Sequence, residues 1–224
     1  MTPRLIPRRR ANRLSQGSLL PRPLLKTIQQ GTLAYTYKGV PTLKNPFDWA
    51  LYPMLFWEVQ PRTVIEIGSN KGGSALWMAD LMRAFALPCH IHSVDIVPVT
   101  GVQAIGVTFH GGDARDLARV LGGDFMRGLA RPLLVIEDAD HRAVTTLAVL
   151  RFFDPWLRPG EFIIVEDGIL TEMGQANGFS GGPRRAIEEF LAERGSDYTI
   201  DTRYCDWFGR NVTWNVNGFL RRTK

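Results

Sequence analysis

The sequence predicts an α/β fold: a mainly parallel central sheet with helices on both faces, in one sizeable domain. Three observations predict it. Short, continuously apolar segments recur along the chain, amphipathic stretches of helix length separate them, and acidic residues stand where several of the apolar segments end. Strands buried on both faces lack the polar alternation of a half-wet sheet, and the helices between them serve as crossovers. Ligands of such sheets bind beyond the carboxyl ends of the strands.

Taken in order, residues 1–34 are expected to form a basic N-terminal arm, flexible at its start, and residues 35–224 the folded domain. The stretch "PRLIPRRRANR", residues 3 to 13, contains five arginines and no acid, so much of the net charge of +5 sits there. The remaining body is nearly balanced, which argues against a nucleic-acid partner. Phe47, Trp49, Tyr52, Phe56 and Trp57 recur at helical spacing and are read as a core-facing helix, with Lys44 and Asp48 near enough to line a ligand pocket. "TVIEIG" (63–68) reads as a buried strand, and the segment after it carries Ala75, Met78, Ala79, Met82 and Ala86 at helical spacing. Further strands are expected at 90–96, 106–112, 132–138 and 161–167. Val144, Leu147, Leu150 and Phe153 mark the helix between the last two.

This arrangement aligns Glu66, Asp95, Asp138, Glu166 and Asp167 along one rim of the sheet. Gly68, Gly72 and Gly73 let the backbone after the first strand turn tightly and approach a ligand at a helix N-terminus. Ser69, Asn70 and Lys71 intervene between the first two glycines, so the spacing is not G-x-G-x-x-G. Asp95, ending the next strand, suits the two hydroxyls of a ribose, and Asp113 with Ala114, after the third, suits an adenine ring. Three successive strand ends thus fit a nucleoside. His90, His92 and His110 lack ligand spacing and are read as core or surface histidines. Clustered carboxylates at Asp138, Glu166 and Asp167 need a cation or proton to compensate them.

The motifs "EIGSNKGGS", "SVDI", "EDADH" and "IVEDG", in this order, resemble class I S-adenosylmethionine-dependent methyltransferases. The longer stretches "GVPTLKNPFDWALYPMLFWEVQPRTVIEIGSNKGGSALWMADLM", "GGPRRAIEEFLAE" and "DWFGRNVTWNVNGFLRR" resemble the cephalosporin hydroxylase family, a methyltransferase-like group, over roughly residues 35 to 222. The resemblance implies a Rossmann-like methyltransferase sandwich. Glu66, Gly68, Ser69, Asn70, Gly72, Gly73, Ser74, Asp95, Asp113 and Ala114 would then hold S-adenosylmethionine. Asp138, Glu166 and Asp167 would hold a divalent cation, most suitably magnesium, and Asp140 or His141 would act as base. Hard cations take oxygen ligands and leave positions open for substrate oxygens, which agrees with that set.

The resulting expectation is a metal-assisted O-methyltransferase acting on a hydroxyl of a sugar or natural-product small molecule. A metal-dependent nucleotide-sugar transferase is the alternative, because "DAD" also suits a metal diphosphate, and a non-catalytic nucleoside-binding protein is a third reading. No run of about 18 apolar residues predicts a membrane span. Cys89 and Cys205 cannot make a disulfide framework, which fits a cytoplasmic protein. A homo-oligomer is expected, since the aromatic-rich region before the first core strand is hard for a monomer to cover. "GILTEMGQANGFSGGPRR" is read as a mobile loop over the site.

Overall fold

The computed structural model describes residues 12–224, so most of the arginine-rich stretch lies outside it. Helix α1 (Arg22–Ala34) leads into a small hairpin, β1 (Thr36–Tyr37) with β2 (Val40–Pro41). Helix α2 (Pro46–Val59) follows. Its start is written in the sequence: Pro46 occupies the first turn, and the Asn45 side chain accepts from the Phe47 and Asp48 N–H groups at 2.9 and 3.2 Å.

The central unit is built from β3 (Thr63–Ile67), α3 (Gly73–Ala84), β4 (His90–Asp95) and β5 (Val107–Gly111). Short helices α4 (Leu117–Leu121) and α5 (Gly123–Gly128) lead to β6 (Leu133–Glu137), α6 (Ala143–Phe153) and β7 (Phe162–Val165). Then come α7 (Gly182–Arg194), β8 (Tyr198–Ile200), α8 (Thr202–Cys205) and β9 (Phe219–Arg222). The seven-stranded sheet runs β5-β4-β3-β6-β7-β9-β8, with β9 antiparallel to both neighbours. Its order reverses between β3 and β6, and crevices for ligands open at such a point.

Alternate residues of each strand serve opposite faces, which explains why the strands are apolar throughout. Val64, Leu134 and Ile136 pack with Leu51, Leu55 and Phe56 of α2 and with Met78 of α3. Ile65, Ile67, Leu133 and Val135 pack on the other face with Leu150 and Phe153 of α6 and Phe190 of α7.

Two expectations need correction. Residues 12–34 are not a separate arm: Leu14 and Leu25 are buried, and Arg13 donates to Asp206 at 2.8 Å and to Asn211 at 2.9 Å. Basic composition concealed this, because the anchors are single residues whose partners lie far along the chain. Trp57 is 59% exposed although Tyr52 and Phe56 are buried, so the aromatic group is core on one helix face only.

His90 and His92 stand on one face of β4 beside His110 of β5, with His92 Nδ1 3.1 Å from His110 Nε2. Burial favours the neutral ring and pushes His92 down to about 4. The unfolded ring titrates near about 6.5, so this contribution to stability is complete above that pH and is lost as pH falls towards 4. A His92→Phe variant should lose less urea resistance than the parent between pH 7 and pH 5, and equal losses would remove His92 as the cause.

Candidate active site

The ends of β3 and β6 nearly touch. Gly68 adopts φ +106°, and a Cβ there would collide with the Asp138 carbonyl oxygen, so only glycine permits the approach. At Gly73 a Cβ would meet Thr42 Oγ1 and the Pro41 carbonyl, which ties the start of α3 to the hairpin. A cavity of about 330 Å³ opens where these segments meet. Gly68, Ser69, Asn70, Ser74, Asp95, Asp113, Ala114, Asp138, Asp140, His141 and Asp167 all border it.

Glu66, Gly72, Gly73 and Glu166 are not among its lining residues. Gly72 and Gly73 shape the turn into α3 from behind. Glu66 is fully buried beneath the turn, with Oε2 accepting the Ser93 hydroxyl and Oε1 lacking a hydrogen-bond partner among the described residues. A bound ammonium or water would satisfy that orphaned oxygen. Asp95 Oδ2 accepts the Asn70 N–H at 2.8 Å and Oδ1 the Val97 N–H at 2.9 Å. Both bonds fix its carboxylate at the cavity edge and leave lone pairs for further donors. Asp113 is held by Arg115, at 2.8 Å from its backbone N–H and from its guanidinium.

On the opposite wall, β6 and β7 bring their terminal carboxylates to a single cationic group. Lys44 Nζ lies 2.6 Å from Asp138 Oδ2 and 2.6 Å from Glu166 Oε2, and Lys44 is only 4% exposed. Tyr52 donates to the other Glu166 oxygen. Burial pushes Glu166 up to about 7, assisted by Asp138 and opposed by Lys44. Asp138 is raised by burial and pulled back by Lys44, while Asp167 is raised by burial and pulled back by His141. Glu137, pushed up to about 7 by burial, accepts from the Ala139 N–H.

His141 Nδ1 lies 3.4 Å from Asp167 Oδ2 and 4.0 Å from Asp138 Oδ1. Burial would lower its pKa, but Asp167 and Asp138 overcome this and raise it. His141 and Asp167 both adopt left-handed backbone conformations, with φ of +57° and +56°. Such strain in non-glycine residues concentrates at functional sites. Asp140, in contrast, is half exposed and accepts the Arg142 N–H at 3.1 Å.

Ligand atoms of Asp138, His141 and Asp167 lie within 4.8 Å of one another, a spacing one cation can span. The donor set therefore fits a divalent ion at Asp138 and Asp167. Glu166 reaches such an ion only if Lys44 gives up its place, because both Glu166 oxygens are already engaged. Lys44 and Tyr52 are the partners that sequence reasoning undervalued. Lys44 was visible as a possible lining residue, but nothing local in "TLKNPFD" reveals that it is buried against two distant carboxylates. Asp48, read with it, faces away, bonded to Asn45, the Thr213 hydroxyl and the Trp214 N–H.

The segment after β7 is tethered rather than free. Glu172 accepts from Arg184 at 2.8 Å and from the Ser18 N–H at 3.2 Å, and Arg22 donates to its carbonyl. No residue between 171 and 181 borders the cavity. From this stretch Phe179 meets the His141 ring, with centroids 5.8 Å apart.

Comparisons with known proteins agree with this fold. The sequence matches the family described as Rhamnosyl O-methyltransferase/CmcI over residues 29–112 and 116–223. It is 32% identical over 195 residues to the rhamnosyl O-methyltransferase of Mycobacterium leprae (strain TN), covering 84% of this chain and 82% of that protein. The rhamnosyl O-methyltransferase of Mycobacterium tuberculosis (strain ATCC 25618 / H37Rv) is 30% identical over 192 residues, with 84% and 78% covered. Among solved structures, apo CmcI superimposes with a TM-score of 0.69 at 26% identity, over 86% of this chain and 77% of that one. A CmcI structure with Mg and SAM gives 0.68 at 25% identity, over 99% and 87%.

Proposed function

The chain belongs to the rhamnosyl O-methyltransferase/CmcI family and is an S-adenosylmethionine-dependent O-methyltransferase, and from its site we propose a sugar hydroxyl as the acceptor and a divalent cation as the aid. One observation carries this reading: the turn at Gly68, Asp95 and Asp113, suited to a nucleoside, shares one cavity with Asp138, His141 and Asp167. When bound, S-adenosylmethionine supplies an electrophilic methyl group, and the cation lowers the pKa of a nearby hydroxyl. Relatives named rhamnosyl O-methyltransferases support a sugar, or a natural product bearing one, as the small-molecule acceptor.

In this reading Asp95 accepts ribose hydroxyls, Asp113 and Ala114 flank the adenine, and Gly68, Ser69, Asn70 and Ser74 cradle the methionine end. Glu66, Gly72 and Gly73 support the turn from behind. Asp138 and Asp167 would hold magnesium or a similar ion, with Glu166 as third ligand once Lys44 moves aside. His141 takes the hydroxyl proton while the acceptor oxygen forms its bond to the methyl carbon and the sulfur–methyl bond breaks, leaving a neutral thioether. Nδ1 of His141 is turned towards Asp167, which orients the ring so that Nε2 can accept. Asp140, capping Arg142, is the less suitable of the two bases proposed from the sequence.

A nucleotide-sugar transferase would need cations free for a diphosphate. Lys44 and Arg115, the lysine and arginine among the cavity residues, are each paired with carboxylates. The proposal includes a cytoplasmic homo-oligomer, supported by two free cysteines and by exposed Trp57, Trp207 and Phe208. No helix among the described residues is long and apolar enough to cross a membrane.

Incubating the protein with labelled S-adenosylmethionine, magnesium and a panel of rhamnosides should methylate at least one sugar hydroxyl, identified by mass spectrometry. Transfer only to acceptors without sugars would remove the proposed substrate class. Asp95→Ala should weaken S-adenosylhomocysteine binding by about 1.5–3 kcal/mol, the range for hydrogen bonds to a charged group. Unchanged affinity in calorimetry would remove Asp95 from the ribose site.

A further inference from the structure

Asp138 and Glu166 leave different strands and meet at one lysine. Lys44 Nζ lies 2.6 Å from Asp138 Oδ2 and 2.6 Å from Glu166 Oε2, and the lysine side chain is only 3% exposed. Burying an ammonium forfeits its hydration, which only close charged partners offset. The backbone of Lys44 is fixed: its carbonyl accepts the Trp49 Nε1–H at 3.1 Å, and the next residue, Asn45, caps α2. Freedom is left to the flexible four-carbon stem, which borders the cavity of about 330 Å³.

Glu166 is prepared for a change of partner. Tyr52 donates to its other oxygen, so the carboxylate keeps one hydrogen bond, and its direction, when Lys44 leaves. Asp167 follows at once, on the cavity side, with His141 Nδ1 3.4 Å away. Withdrawing Lys44 without a replacement would leave buried carboxylates short of a compensating charge. A divalent ion among the same oxygens would supply that charge.

We infer that Lys44 is a stand-in cation, an assignment that rests on the cation reading above: it holds Asp138 and Glu166 together when no metal is bound, and it yields Glu166 to an arriving divalent ion. Lys44 therefore lowers the affinity of the site for metal and stabilises the metal-free protein. A lysine with a purely structural role would not act in opposite directions on these two quantities.

The test measures magnesium binding by calorimetry, without methyl donor or acceptor, for the parent, Lys44→Met, Glu166→Gln and the double variant. Lys44→Met, which removes the charge and keeps an unbranched side chain, should bind magnesium roughly tenfold or more tighter than the parent. Without metal it should melt at a lower temperature than the parent, and saturating magnesium should narrow that gap. Glu166→Gln should weaken binding by less than about threefold while Lys44 is present, because the ion and the lysine compete for that carboxylate, and by roughly tenfold or more in the Lys44→Met background. Equal or weaker magnesium affinity in Lys44→Met overturns the inference and leaves the metal reading intact, as does an absence of coupling between the two substitutions. If Lys44→Met does not fold, Glu166→Gln decides alone: a small loss of affinity supports competition, and a loss as large as that expected without Lys44 overturns it. Binding by Lys44→Met and not by the parent supports the stand-in role and removes the metal from the parent's reaction. Binding by neither protein overturns both.

Discussion

Removing divalent cations by exhaustive chelation is expected to reduce methyl transfer by roughly 10²- to 10⁴-fold, equivalent to several kcal/mol of barrier, with recovery on adding magnesium. Asp138→Asn should produce a loss of the same order that added metal does not reverse. Asn keeps the shape of the side chain but cannot supply the charge that Lys44 contacts at 2.6 Å and that faces His141. S-adenosylhomocysteine binding should survive both treatments, because Asp95, Asp113 and the Gly68 turn lie on other strands. Full turnover after chelation would show that Lys44, not a metal, is the cation that these carboxylates require. Such a result would leave the methyltransferase assignment intact and remove only its metal.

His141→Gln is expected to lower turnover about 10²- to 10⁴-fold, the usual contribution of a positioned general base, with donor binding intact. The base must be neutral to accept a proton, so parent turnover should rise with pH through the titration of His141. In the metal-free protein Asp167 and Asp138 raise that titration, and the His141→Gln variant should lack this limb. If Asp140→Asn abolishes the limb and His141→Gln does not, the roles are reversed. Geometry favours His141, since its ring is held between two carboxylates and against Phe179, whereas Asp140 is half exposed and caps a turn.

The glycine-turn side of the cavity was legible in the chain because it is local. Gly68, Asp95 and Asp113 each stand at or just beyond the end of a strand, and parallel strands necessarily present such residues on the same rim. Observed strands fall inside the expected segments: Thr63–Ile67 within 63–68, Leu133–Glu137 within 132–138 and Phe162–Val165 within 161–167. Less was legible at the edges. Strands β8 and β9 are short and pair antiparallel, and Gly218 is required because a Cβ would strike the Val165 carbonyl, a contact between segments far apart in sequence. Helix α1 escaped notice inside a stretch read as a basic arm, because its anchoring depends on the few buried residues it contributes.

By itself the sequence determined the doubly covered sheet and the acidic rim at its carboxyl ends. These follow from backbone periodicity and strand polarity, which act over a few residues. Tertiary structure alone decided the partners of the carboxylates. Asp138, Glu166 and Asp167 look equivalent when read as "IED" and "VED", yet Asp138 and Asp167 face the cavity while Glu166 turns inward to Lys44 and Tyr52. Adjacent residues leaving a strand point in different directions, and a buried carboxylate turns to whatever cation or donor the fold brings within reach. That donor comes from the segment before α2 and from α2 itself, more than a hundred residues away, so no local pattern around Glu166 could have specified it.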